Sequence, residues 1–253
     1  YPWLEQTGAV VPLSSQFGTP DGYERIELQP GSFGVFLREL PVRTDDFQVN
    51  AYSGKPISAP AAAIVALDVG EENLQQCADS LIRLHAEWLW SRGRKDDIGY
   101  HFTSGDLSTW TDWRSGERFV VSGSTVKRRS GPAREDTHQT FREYLSHLFL
   151  YAGTQSLELD AEPVETIQPG DFFVAPGSPG HAVMVLDIAE NDEGRRVALL
   201  GQGFMPAQQF HILEGDDPEI VDDVWWPLPG KGETLDTPSW QPFPRHSVLR
   251  FED

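Results

Sequence analysis

The sequence predicts an α+β fold, read as one domain over residues 1–253, with a cysteine-bearing helix packed on an antiparallel sheet. Three stretches carry that expectation. Residues 75–90 (QQCADSLIRLHAEWLW) put Leu81, Leu84, Trp88 and Leu89 at helical spacing, with Cys77 in line at the start. Residues 137–152 repeat the pattern with Phe141, Leu145, Leu148 and Phe149. Between residues 172 and 202 the pattern becomes strand, strand, turn, strand.

Composition narrows the class. Of 253 residues, 39% are hydrophobic and 23% charged, with eight Trp and fourteen Phe, which suits a folded globule rather than a disordered chain. A net charge of −19 argues against nucleic-acid or anionic-membrane partners, which require a basic face. The single cysteine excludes an internal disulfide and any multi-cysteine metal centre, and the sequence calls for no cofactor and no metal. No apolar run approaches the roughly 18 residues of a membrane-spanning segment. The chain opens on Tyr1 rather than Met, which a removed signal peptide or a trimmed N-terminus explains; the expectation is an extracytoplasmic protein, periplasmic, secreted or envelope-anchored.

In chain order, residues 1–30 are rich in Pro, Gly, Ser and Thr and read as an irregular arm. Residues 31–41 form a short amphipathic helix with Ser32 as N-cap and Pro41 as stop. Residues 48–56 read as a strand and turn, and 61–70 as a buried strand. In the cysteine helix, Asp79, Arg83 and Glu87 form an i, i+4, i+8 charge ladder, and Gly93 ends it. Residues 97–126 suggest short strands and loops, and 127–136 an exposed loop. After an acidic connection at 160–169 come strands at 172–175, 181–189 and 196–202, with a turn at 191–194. The Pro- and Trp-rich tail, 216–253, reads as wrapping the surface.

Cys77 is the candidate nucleophile. The free N–H groups and positive end of a helix favour thiolate and can hold an acyl oxyanion, so a lowered thiol pKa is expected. A thiolate needs a histidine base, and the base needs an orienting partner. Of seven histidines, His85 and His147 lie mid-helix, His138 near a helix start, and His101 close behind the cysteine helix. His181 follows Ser-Pro-Gly at a strand start and is the preferred base, with His211 in reserve. If residues 191–194 form the turn, Glu190 faces Arg195 and Gln202 falls opposite Val183, on the face of His181. Gln202 is therefore the candidate orienter. Asp187 would share that face but lies about 20 Å along the strand, too far to serve. Against this stands the plain alternative that a lone cysteine is a small buried apolar residue.

Other chemistries lack their residues. His85-Ala86-Glu87 has the H-x-E shape of zinc deaminases without the further cysteines. There is no H-E-x-x-H, no G-x-S-x-G and no phosphate-binding glycine loop. The 39 carboxylates single out no glycosidase pair.

The segments GSFGVFLRELP, QQCADSLIRLHAEWL, FTSGD, YAGTQSL, GDFFVAPGSPGHAVMVLDIA, GQGFMPAQQFHIL and TPSW resemble, in this order, the bacterial family catalogued as domain of unknown function 4846. That resemblance implies no activity. More distantly, the order of cysteine helix, histidine strand and polar strand is similar to the papain-like cell-wall thiol peptidases of the NlpC type. It implies a papain-like core with added N- and C-terminal segments, Cys77 as nucleophile, His181 as base and Gln202 as orienter. The substrate it implies is a peptide of the cell envelope, such as a peptidoglycan stem. The chain departs from that pattern in Gln76-Cys77-Ala78-Asp79, where those peptidases have Asp-Cys-Ser/Ala-Gly, and in its long Cys-to-His separation. The competing reading is a non-catalytic envelope or surface binding protein.

Overall fold

The computed structural model describes residues 1–4, 9–122, 125–215, 224–238 and 240–252. Among them, nine strands form the main sheet: β1 (Tyr23–Arg25), β2 (Ala61–Ile64), β3 (Ala161–Pro163), β4 (Phe172–Ala175), β5 (His181–Asn191), β6 (Arg196–Gln202), β7 (His211–Leu213), β8 (Trp225–Pro227) and β9 (Val248–Phe251). The order is β2-β7-β6-β5-β4-β9-β3; β1 pairs with the far half of β5, and β8 with the start of β6. Every pairing in this sheet is antiparallel. The fold is thus mixed α/β on an antiparallel sheet with few helices.

The helices are α1 (Leu13–Gln16), α2 (Phe33–Arg38), α3 (Cys77–Ser91), α4 (Trp110–Ser115) and α5 (His138–Phe149). Their ends follow local chemistry. Ser32 Oγ accepts from Val35 N at 3.3 Å to start α2, and Thr137 Oγ1 from Thr140 N at 3.2 Å to start α5. At α3, Asp79 Oδ2 reaches back to Gln76 N at 3.0 Å, and Gly93 takes φ 73° just past the end. α3 is buried on all sides from Cys77 to Leu89, so its charge ladder is an internal network rather than a solvated stripe. Arg83 pairs with Glu87 at 2.7 Å, and Glu87 accepts His138 Nε2 at 2.9 Å.

Strand alternation in β5 divides the core. Ala182, Met184 and Leu186 pack with Ala78, Leu81 and Ile82 of α3, while Val183, Val185 and Ile188 pack with Phe173, Phe243 and Val248 on the other face. The hairpin differs from the sequence reading in two ways that cancel. Asn191 N bonds Arg195 O at 3.0 Å and Gly194 takes φ 75°, so the turn has three residues and Glu190 faces Arg196, not Arg195. A bulge between Val185 and Asp187 then absorbs the slip, and Met184 pairs with Gly201. Gln202 therefore keeps the register expected of it. The bulge also turns Asp187 away from the His181 face, where Ile188 now stands.

Several segments are more ordered than their composition suggests. The N-terminal arm contributes α1 and the sheet strand β1, because the outer half of β5 would otherwise be an unpaired edge. The tail contributes β8 and β9, with β9 inserted between β4 and β3; residues 216–223 lie outside the described residues. The segment 127–136 is not all loop, since Thr125–Ser130 is a strand paired with Glu117–Ser122. Residues 48–56 are reduced to isolated bridges, Asn50↔Pro56 and Ala51↔Gln208. The expected strand at 61–70 ends at Ile64. Among the described residues, no helix is long and apolar enough to cross a membrane.

Candidate functional site

Cys77 is the first residue of α3, and the end of β6 lets that helix close in. A side chain at Gly203 would collide with Ser80 Oγ and stand 3.0 Å from Gln76 O, so a bare backbone is needed where β6 leaves the sheet. The thiol comes to rest beside β5, with Sγ 3.8 Å from the Gly180 carbonyl oxygen and the Ala182 N–H directed at the sulfur. Gly180 is similarly constrained: a Cβ there would clash with Thr154 Oγ1 and lie 2.7 Å from Gly177 N. The thiol thus touches the backbone on either side of His181, at the Gly180 carbonyl and the Ala182 N–H.

His181 and Gln202 meet as the register implies, with His181 Nε2 2.7 Å from Gln202 Oε1. Gln202 Nε2 lies 3.4 Å from His211 Nε2, and His211 Nδ1 lies 3.1 Å from the Gln209 carbonyl. His181 Nδ1 is buried and has no hydrogen-bond partner among the described residues. The thiol's own hydrogen bond goes to Gly180 O rather than to the ring. All three site residues are buried: Cys77 is 4% exposed, His181 0% and Gln202 1%.

Burial decides the titration behaviour. It pushes the Cys77 thiol up to about 11, with the Asp79 carboxylate adding to the rise, against the N–H groups of Ala78, Ala182 and Cys77 itself. The lowered thiol pKa expected of a helix start is therefore not found: desolvation outweighs the helix end. Burial also lowers His181 to about 4, the bond to Gln202 opposing and the neighbouring His211 assisting. In the unliganded protein the thiol and the imidazole are therefore both neutral. Asp79, two residues after the cysteine, is itself pushed up by burial to about 8, and its Oδ1 has no partner among the described residues.

Three aromatic rings enclose His181: Phe204 at 4.7 Å, Trp240 at 5.1 Å and Phe243 at 6.0 Å between ring centres. Phe204 and Trp240 are half-buried and Phe243 is buried. None of the three was singled out in the sequence; their only signal is aromatic residues close behind Gln202 and in the tail, and the tail's return is not a local property. His211, the reserve candidate, is the neighbour of Gln202, paired with it across β6 and β7. The remaining histidines are placed elsewhere. His101 Nδ1 bonds Asp160 at 2.6 Å, His138 bonds Glu87, and His85 Nδ1 bonds Tyr100 at 2.9 Å. Asp187 is held by Arg25 at 2.6 Å and Arg38 at 2.7 Å. Among the described residues, no group of three or more His, Cys, Asp or Glu is arranged to hold a metal ion.

The family model described as domain of unknown function (4846) matches residues 13–250, nearly the whole chain. The chain belongs to this family. No curated protein and no solved structure matches it. The resemblance to NlpC-type peptidases gains no support from these comparisons, and the site rests on its own geometry.

Proposed function

We propose that this family member is a cysteine hydrolase, an amidase or peptidase in which Cys77 attacks an acyl carbon and His181 moves the proton. The observation that carries this reading is the imidazole: Nε2 is held by Gln202 at 2.7 Å, and Nδ1 is left buried and unbonded in a ring that shares the backbone at residues 180–182 with the thiol. A buried nitrogen without a partner costs free energy, and a base waiting for a substrate-coupled proton gives that cost a purpose.

In this scheme substrate displaces the thiol from Gly180 O. Sγ bonds to the carbonyl carbon while its proton passes to His181 Nδ1. The N–H groups of Cys77 and Ala78 at the start of α3 hold the oxyanion. Collapse breaks the C–N bond, the leaving amine takes the proton from Nδ1, and a thioester remains. Water then attacks the thioester, giving its proton to Nδ1, and the thiol is restored with release of the acid.

We read the arrangement as papain-like, with a cysteine helix against an antiparallel sheet and Cys, His and Gln in that order along the chain. On that likeness the substrate class is cell-envelope peptide, such as a peptidoglycan stem, and an extracytoplasmic location goes with it. The second reading, a non-catalytic binding protein of the envelope or surface, is favoured by one observation: a thiol 4% exposed, with its pKa raised to about 11, behaves as a core residue.

A p-nitrophenyl ester of a short acyl-peptide separates the two. The native protein should release one equivalent of nitrophenol in a burst and carry the acyl mass on Cys77. His181→Ala should slow that step by about 10²–10⁴-fold, the usual contribution of a general base. Equal acylation of native protein and His181→Ala, or none at Cys77, would refute the hydrolase reading.

A further inference from the structure

Two buried polar side chains behind the base form a line whose direction is set at its far end. A backbone carbonyl can only accept. His211 Nδ1, 3.1 Å from the Gln209 oxygen, must therefore carry the proton, and a neutral His211 then presents a lone pair at Nε2. Burial lowers the His211 pKa, which keeps the ring neutral. The lone pair requires a donor, so the Gln202 amide must turn its NH2 toward His211 across 3.4 Å. That leaves Gln202 Oε1 facing His181, which can only be met by an Nε2–H at 2.7 Å. With Nε2 protonated, the lone pair of His181 lies on Nδ1, the nitrogen with no partner.

The line is built into the sheet. Gln202 and His211 are cross-strand partners on β6 and β7, which sets both side chains on one face. Gln209 is itself fixed, its N–H bonding Asn50 O at 3.0 Å and its side chain accepting Asn50 N at 2.8 Å. His211 is 0% exposed and Gln202 1%, so water does not compete for these bonds. An amide alone has no preferred orientation between two imidazoles; a flipped amide would put its NH2 on His181 and move the lone pair to Nε2, where Gln202 already occupies it.

We propose that His211 is a positioning residue: through the Gln202 amide it holds His181 in the tautomer that has Nδ1 free to take the thiol proton. This rests on the hydrolase reading for its purpose, though the hydrogen-bond polarity stands without it. It touches neither the thiol nor the acyl group.

The first test needs no variant. Nitrogen-15 NMR of the imidazoles in the native protein at neutral pH should show His181 protonated at Nε2 and His211 at Nδ1; the opposite tautomer at either ring overturns the proposal. In His211→Phe, which keeps bulk but removes the acceptor, the His181 signals should shift toward a mixture of tautomers. Acylation of Cys77 by the p-nitrophenyl ester should fall by about tenfold, the low end of the loss when an outer hydrogen-bond partner is taken from a positioned imidazole. His211→Gln, whose side-chain oxygen reaches the place of Nε2, should restore both. Unchanged tautomer and rate in a folded His211→Phe would show packing alone and overturn the proposal. If the native tautomers are as stated but Cys77 is never acylated, the orienting line stands and it is the hydrolase reading that falls.

Discussion

β5 carries two fully buried polar side chains, His181 near one end and Asp187 beyond the bulge, and they are treated in opposite ways. Asp187 is met by Arg25 and Arg38 and also accepts the Ile188 N–H at 2.9 Å. Both oxygens are satisfied, and the pairs pin the N-terminal arm and α2 to the sheet. His181 has one nitrogen bonded and one without a partner among the described residues. His85 Nε2 and His147 Nε2 are likewise buried without a partner among the described residues, so what sets His181 apart is that the thiol rests on the backbone to either side of it. The same strand thus carries a fully paired ion cluster and a candidate site that differ in hydrogen bonding, not in depth of burial.

Truncating each residue in turn separates the two roles. Asp187→Ala takes the shared carboxylate from Arg25 and Arg38 and is expected to cost about 3 kcal/mol of stability, read as a lower urea midpoint. His181→Ala should cost clearly less while abolishing acylation of Cys77. Equal stability losses would mean that His181 is as structural as Asp187.

Asp79→Asn probes the opposing charge next to the thiol. The folded-state pKa of Asp79 is raised to about 8, above the ordinary carboxylate value of about 3.9, so the folded chain binds the extra proton across that window. The contribution is intact below about pH 4 and is lost as pH rises through about 8. The native protein should therefore lose urea resistance between about pH 4 and 8, and Asp79→Asn should lose less. Without the Asp79 charge the Cys77 thiol should titrate below about 11, visible as an earlier rise in its alkylation rate with pH. An unchanged alkylation profile would remove Asp79 from the account of thiol acidity.

The smallest effect is expected at Trp240→Ala. Burial is the largest cause of the low His181 pKa, and Trp240 supplies part of that burial. Opening this side should raise His181 from about 4 toward the ordinary histidine value, measured by NMR titration of the ring. If the value does not move, the seclusion of the ring comes from Phe204, Phe243 and the sheet.

Much of the candidate site was legible because its parts are local. A helix start at Cys77 follows from apolar spacing and the reach-back of Asp79. A strand start at His181 follows from Ser-Pro-Gly, and Gln202 from alternation along a hairpin. The register argument reached the right partner through a wrong turn: the loop is one residue shorter than read, and a bulge that has no signature in alternation restores the count. The charge ladder of α3 was legible as spacing but not as burial, since only α5 bringing His138 to Glu87 shows that it faces inward.

The sequence by itself determined which residue types stand at the helix start, the strand start and the return strand, because backbone hydrogen bonding and side-chain period act over a few residues. Tertiary structure alone decided the chemistry of those groups. The helix end, a local feature, favours thiolate; burial in the assembled fold removes water from the sulfur and reverses that preference. The tail became a sheet strand for a similar reason: β4 and β3 each had an edge to pair, a need that only the assembled sheet creates. Solvation of a buried charge and pairing of a free edge depend on what arrives from far along the chain, and neither is written in the residues beside it.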